Sequence, residues 1–250
     1  MIQIYNTIEA INNKAADIFV AAAQKAILEK GSFTAVLTGG SSPAGIYRLL
    51  ASAEYKTKID WSKVFIFWGD ERWVPLEDDR SNAKMSFDTL LSHVPIPEKN
   101  VFPMYKDGVS AEDYAVTYEE SIRTVLGADG KFDLILLGLG DDGHTASLFP
   151  GEAVLDEQTK WVAAYRLESQ NMHRITLTAP LINKAEKIIV VAFGEKKAPA
   201  LKEVLYGDYN PNTYPMQLIK PVSGELLFLV DNSAAGINGQ NATEAILGLS

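Results

Sequence analysis

Apolar residues recur at helical spacing between Thr7 and Lys30, at Ile8, Ile11, Ala15, Ile18, Phe19, Ala22 and Ile27. This spacing predicts an amphipathic helix with Thr7 as its cap and Gly31 as its stop. The pattern then changes to short, unbroken apolar runs. Runs over 33–37, 64–68, 132–137, 187–193 and 225–230 predict buried strands, and 161–166 and 174–178 predict two more. Helical stretches lie between them. One is entered through Pro43, one is capped by Ser81 and runs towards His93, one opens on a Ser110/Asp113 capping box and reaches Leu126, and one covers 195–206. Strands apolar on both faces that alternate with helices make a mainly parallel sheet covered on both sides. The expected class is therefore α/β, with ligands bound beyond the carboxyl ends of the strands. No internal repeat interrupts this reading, and the Pro/Asn-rich stretch 207–215 reads as a surface loop, so residues 1–250 are expected to form one domain. The segment Gly236 to Ser250 carries no assignable motif.

Composition narrows the chemistry. The 250 residues are 47% hydrophobic and 22% charged, an ordinary balance for a chain that buries a sizeable core. There is no cysteine, which excludes disulfides, thiolate metal sites and cysteine nucleophiles and suits a reducing, cytoplasmic compartment. The N-terminal stretch lacks the basic start and apolar core of a secretory signal, and no run is long enough to span a bilayer, so no membrane partner is expected. A net charge of -9 and a pI near 4.9 argue against a nucleic-acid partner, which would need clustered Lys and Arg. They say nothing against a small anion, because a few cations and backbone amides can reverse the potential inside a cleft.

Each of the three clearest strands is followed by a polar or Gly-rich loop, and a parallel sheet gathers such loops at one edge. The first is Thr38-Gly39-Gly40-Ser41-Ser42-Pro43-Ala44-Gly45. Its glycines allow close backbone approach, its serines offer hydroxyls, and the following helix start points unpaired N–H groups at an anion. The plainer alternative is a tight turn with Ser41 or Ser42 as an N-cap. The second loop holds Asp70, Glu71 and Arg72, costly so near a buried strand unless paired or used; an Asp70–Arg72 ion pair that only fixes the loop is the alternative there. The third is Gly138-Leu139-Gly140-Asp141-Asp142-Gly143-His144 and onward to Pro150. Of the three histidines, His144 alone follows such a loop directly, where an imidazole can meet a ligand and exchange a proton. Either Asp141 or Asp142 is placed to orient it.

Together these segments resemble the 6-phosphogluconolactonase family, which is related to the glucosamine-6-phosphate deaminases and, further off, to ribose-5-phosphate isomerases. The resemblance rests on Leu37 to Pro43, on Gly69-Asp70-Glu71-Arg72 with Ser81-Asn82, and above all on Asp142-Gly143-His144-Thr145-Ala146-Ser147-Leu148-Phe149-Pro150. Arg174 to Thr178 and Gly194-Glu195-Lys196-Lys197-Ala198 are similar to the family's later basic motifs. The deaminase branch follows its Asp-Gly-His loop with an asparagine and a glutamate that assist ring opening, and it has Asp-Glu-Tyr where Asp70-Glu71-Arg72 stands here. Ser147 to Pro150 supplies no such glutamate. The resemblance thus implies a doubly wound, Rossmann-like sheet of the sugar-phosphate isomerase type, hydrolysis of a phosphorylated sugar lactone in the oxidative pentose phosphate pathway, no metal and no organic cofactor. A deaminase or a non-catalytic sugar-phosphate sensor is the alternative.

On this reading His144 is the general base that activates water, oriented by Asp142 or Asp141. Arg72 meets the developing negative charge or the sugar hydroxyls and Asp70 holds its guanidinium. The phosphate lies against Gly39, Gly40, Ser41 and Ser42, with Arg174 and Lys197 as charged contacts. Lys197 is preferred to Lys196 because the family's lysine directly precedes alanine. A serine nucleophile is disfavoured, since no Gly-x-Ser-x-Gly elbow is present.

Overall fold

A computed structural model of the chain describes residues 1–40 and 42–237. Ser41 and the segment from 238 onward lie outside the described residues. The elements run β1 (Ile2–Tyr5), α1 (Ile8–Lys30), β2 (Phe33–Leu37), α2 (Ala44–Ala51), α3 (Ala53–Lys56), β3 (Val64–Trp68), β4 (Asp70–Arg72), α4 (Asn82–Thr89), α5 (Ala111–Leu126), β5 (Leu134–Gly138), β6 (Val162–Leu167), β7 (Met172–Leu177), α6 (Ala179–Ile182), β8 (Lys187–Ala192), α7 (Ala198–Tyr206) and β9 (Glu225–Asp231). Thr7 caps α1 by accepting the Ala10 N–H, and Gly31 ends it in the left-handed region.

Six strands form a sheet in the order β1-β9-β8-β5-β2-β3, every pairing in it parallel. The register sets Phe33 beside Val64 and Val36 beside Phe67, so Phe33 and Phe67 lie on opposite faces. Phe19 of α1 packs edge-on against Phe33 at 5.2 Å, and Tyr118 of α5 packs on Phe67 at 6.0 Å. Helices therefore cover both faces, as the unbroken apolar strands require. All five residues of β2 are buried, and each large side chain removed from water contributes about 1.5–3 kcal/mol.

The first turn of chain order out from β2 leads to β3, whereas β5 lies on the other side of β2. The switch point thus falls between β2 and β5, and the loops after Leu37 and Gly138 leave from its two walls. That crevice is where the chemistry-bearing loops meet.

Two expectations need correction. The stretch 70–72, read as loop, is a strand: β4 pairs antiparallel with β7, which pairs antiparallel with β6, in a separate three-stranded sheet. The strands expected at 161–166 and 174–178 exist with slightly different bounds but belong to this second sheet, not to the parallel one. Gly69 joins the two sheets, since its N–H donates to Leu37 O at 2.9 Å and its carbonyl accepts the Leu177 N–H at 2.8 Å. The sequence reading also left Ile2–Tyr5 unassigned, yet it pairs with β9 at the sheet edge. Edge placement leaves its side chains only partly buried, so the run carries a weak pattern. Among the described residues no helix is long and apolar enough to cross a membrane.

Candidate active site

The loop after β5 folds back on itself. The Gly140 N–H donates to His144 O at 2.8 Å, the Gly143 N–H donates to Gly140 O at 3.1 Å, and Thr145 Oγ1 donates to Gly138 O at 2.8 Å. This places the His144 imidazole over Gly140, where an added Cβ would lie 2.0 Å from Nδ1 and 2.5 Å from Asp142 Oδ1. Only glycine leaves room for that pair. Asp142 Oδ1 accepts from His144 Nδ1 at 2.5 Å and from the His144 N–H at 3.1 Å. A carboxylate can only accept, so Nδ1 carries a proton, and in the neutral imidazole the lone pair is then on Nε2. Burial alone would raise the Asp142 carboxyl, but the His144 side-chain hydrogen bond, its charge and the backbone N–H outweigh burial and hold it below its usual range. Of the two aspartates, Asp142 is the one on His144. Asp141 Oδ1 instead takes Lys197 Nζ at 2.6 Å.

Along β4 the side chains alternate, with Asp70 and Arg72 on one face and Glu71 on the other. The expected grip of Asp70 on Arg72 does not form. Arg72 Nη1 donates to Arg80 O at 2.7 Å, while Asp70 accepts from Ser147 Oγ at 2.6 Å and from Asn82 Nδ2 at 3.3 Å and lies 3.6 Å from Arg174 Nη1. Strand register explains the exchange of partner: Arg72 faces Arg174 directly across the ladder, and Asp70, two residues along, is within diagonal reach of that same arginine. Arg174 is 3% exposed and donates through Nη2 to Gln170 Oε1 at 2.7 Å. Burial lowers its pKa, Asp70 counters that and Arg72 adds to it. The two cross-strand arginines repel, and the Nε of each is buried without a partner. Such a pair is chemically suited to an anion.

Glu71 does structural service on the opposite face. It accepts the N–H groups of Arg72, Asn82 and Ala83, each at 2.8 Å, and the Ser81 hydroxyl at 3.0 Å, tying β4 to the start of α4. Burial pushes its carboxyl up to about 7 against the downward pull of those hydrogen bonds.

The turn after β2 closes the other wall. Gly39 packs so tightly on Asn82 that a Cβ would sit 1.8 Å from its Oδ1, and Gly40 takes a φ of 86°. Ser42 is not the helix cap, because that position belongs to Pro43 and makes no side-chain cap bond. Lys197 reaches the cleft from the turn after β8, whose Gly194 N–H is held by Asp231 Oδ1 at 3.0 Å. The resulting cleft, about 550 Å³, is lined by Gly39, Gly40, Ser42, Asp70, Arg72, His144, Arg174 and Lys197. Asp142 stands behind His144 and outside the lining. The sequence reading assigned no role to Ser147, Glu71, Gln170 or the Asn82 amide, all bonded to members of this group. Glu71, Asn82 and Ser147 are buried polar residues within the motifs already quoted, whereas Gln170 is exposed and lies outside them. Among the described residues no three His, Cys, Asp or Glu side chains converge on a metal position.

The family model for glucosamine-6-phosphate isomerases/6-phosphogluconolactonase matches residues 6–228. The chain is 39% identical to a 6-phosphogluconolactonase of Synechocystis over 84% of its own length and 86% of the relative's, and 35% identical to one of Nostoc over 90% and 92%. The solved structure of 6-phosphogluconolactonase from Trypanosoma brucei superposes with a TM-score of 0.83 at 26% identity, covering 94% of this chain and 97% of that one. With the switch-point cleft, the Asp142–His144 pair and these matches together, the chain belongs to the glucosamine-6-phosphate isomerase/6-phosphogluconolactonase family.

Proposed function

We propose that this protein is an enzyme that hydrolyses 6-phospho-D-glucono-1,5-lactone to 6-phosphogluconate, the lactone-opening step of the oxidative pentose phosphate pathway. The observation that carries the reading is the Asp142–His144 pair, with its Nε2 lone pair left free, beside a cleft that also holds two facing arginines. His144 Nε2 takes a proton from water as the water oxygen attacks C1. Negative charge gathers on the former carbonyl oxygen, where Arg72 receives it. On collapse the C1–O5 bond breaks, the imidazolium returns the proton to O5, and the new acid loses its carboxyl proton to solvent. Asp142 stays ionised throughout and keeps the imidazole in the working tautomer. The phosphate sits against the Gly39–Ser42 turn, with Arg174 and Lys197 supplying charge. No step calls for a metal or an organic cofactor, and residues 1–250 act as one domain in a reducing, cytoplasmic setting.

The deaminase reading is less well supported by the same loop. Where that branch carries its ring-opening glutamate, this chain has Ser147 bonded to Asp70 and Phe149 stacked on His144. The test is direct. Purified protein is added to freshly generated 6-phosphogluconolactone and its decay followed against the spontaneous rate, with ammonia release from glucosamine-6-phosphate measured in parallel. Accelerated decay without ammonia is expected; ammonia release, or decay at the spontaneous rate, would overturn the assignment.

A further inference from the structure

Phe149 belongs to the most distinctive run of the sequence and has no part in the reaction as described. Its ring is 7% exposed and lies 4.1 Å from the His144 imidazole, centroid to centroid, at 25°. The guanidinium carbon of Arg174 is 5.3 Å from the centroid of the same ring. A buried phenyl ring is thus in contact with both the imidazole and the buried cation.

The geometry points to Phe149 as the positioning residue that sets the plane of the His144 ring, an inference that rests on His144 being the base. The Nδ1 hydrogen bond to Asp142 restrains one atom of the imidazole through a carboxylate that is itself half exposed. A ring that follows the motion of that carboxylate swings Nε2 away from the attacking water. A flat aromatic surface against one face removes that freedom. Arg174 braces the phenyl ring in turn, so that the base and the anion-binding side of the cleft share one support.

The backbone around Phe149 is held without help from its ring. Tyr165 OH donates to Ser147 O at 2.7 Å, Ser147 Oγ donates to Asp70 at 2.6 Å, the Leu148 N–H donates to Thr145 O at 2.9 Å, and the Gly151 N–H donates to Asn212 O at 3.0 Å. Removing the ring therefore leaves the loop's path intact and takes away the stack alone.

Two variants and one spectroscopic reading test this. Phe149→Leu removes the flat face and Phe149→Tyr keeps it. On 6-phosphogluconolactone, Phe149→Leu is expected to lower kcat about 10- to 100-fold, the cost of a misplaced reacting group, while KM moves less than about threefold. Phe149→Tyr should restore most of kcat. The His144 ring-proton resonances, assigned by their loss in His144→Gln, should lie upfield in the wild type through the phenyl ring current. They should move downfield in Phe149→Leu and stay in Phe149→Tyr. Unshifted wild-type resonances would remove the stack, and a Phe149→Leu enzyme with kcat within twofold of wild type would remove its role. If the leucine variant does not fold, the wild-type resonances and the tyrosine variant still decide. Because the resonances report the stack and His144→Ala reports the base, failure of this inference is separable from failure of the reading beneath it.

Discussion

If Lys197 holds the substrate's phosphate, as proposed, then Asp141 competes with that phosphate for the lysine. The Asp141 carboxylate is 55% exposed and the Lys197 side chain 24%, with 2.6 Å between Oδ1 and Nζ. A pair this open to solvent is screened and is worth roughly 0.2–1 kcal/mol. Replacing Asp141 by Asn frees the lysine of that partner and removes a negative charge from the mouth of the cleft, and both changes favour an incoming phosphate. The gain is bounded by the pair's own strength, so KM for the phosphorylated lactone should fall by about 1.4- to fivefold, with kcat little changed. Unphosphorylated gluconolactone should show no such gain. Lys197→Ala should act in the opposite sense and more strongly, about ten- to a hundredfold in KM, since it deletes a charged hydrogen bond. Saturation curves for both substrates, at low salt and again at high salt where the gain should shrink, measure all of this. A KM that rises in Asp141→Asn would refute the reasoning, because it would mean that Asp141 holds Lys197 in its working place. Equal changes on both substrates would remove the phosphate from the argument altogether.

Three further outcomes are expected. His144→Ala should cut turnover at least about 100-fold in a protein whose unfolding curve is unchanged, and near-normal turnover in the folded variant would end its assignment as base. Activity should survive exhaustive EDTA treatment, whereas loss restored by a divalent ion would replace the proposed mechanism with a metal-assisted one. Glu71, raised from the ordinary 4.5 to about 7 by burial, binds its proton more readily folded than unfolded between those values. Its contribution to stability is therefore present below about pH 4.5 and lost as pH rises through about 7, at no more than about 1.4 kcal/mol per pH unit. Urea unfolding from pH 5 to 8 should show a shallower decline in Glu71→Gln, and parallel curves would contradict the assignment.

The parallel core was legible because its signal is local: 33–37 and 64–68 are apolar on both faces, and only a central, doubly covered strand needs that. The loops were legible for a related reason, since strand order alone brings the ends of β2 and β5 to one crevice. What stayed hidden depended on partners distant in sequence. Asp70 looked like the natural mate of Arg72, two residues away, but β4 reads its partners from β7, more than a hundred residues on, where Arg174 waits in diagonal reach. The three polar residues of β4 carry no apolar alternation, so the strand itself was invisible. Between Asp141 and Asp142 the choice rests on how one short loop folds back over Gly140, a matter of backbone direction that residue types do not encode.

The second sheet explains why the cleft contains a buried cation at all. Arg174 could not be held at 3% exposure by the parallel sheet, whose interior strands are apolar along their length. The antiparallel sheet beside the crevice supplies a carboxylate diagonally across at Asp70 and, from the β6–β7 turn, an acceptor at Gln170, and the loop after β5 adds an aromatic face at Phe149. Asp70 pairs with Arg174 and not with Arg72, and it also accepts from Ser147 and Asn82. The two arginines repel, and each keeps a buried Nε–H donor without a partner. An anion entering the cleft relieves that repulsion as well as forming its own hydrogen bonds. On the proposed reading, substrate affinity and fold stability are linked through one ladder pair, Arg72 and Arg174, so that an anion bound there in the folded chain raises the free energy of unfolding.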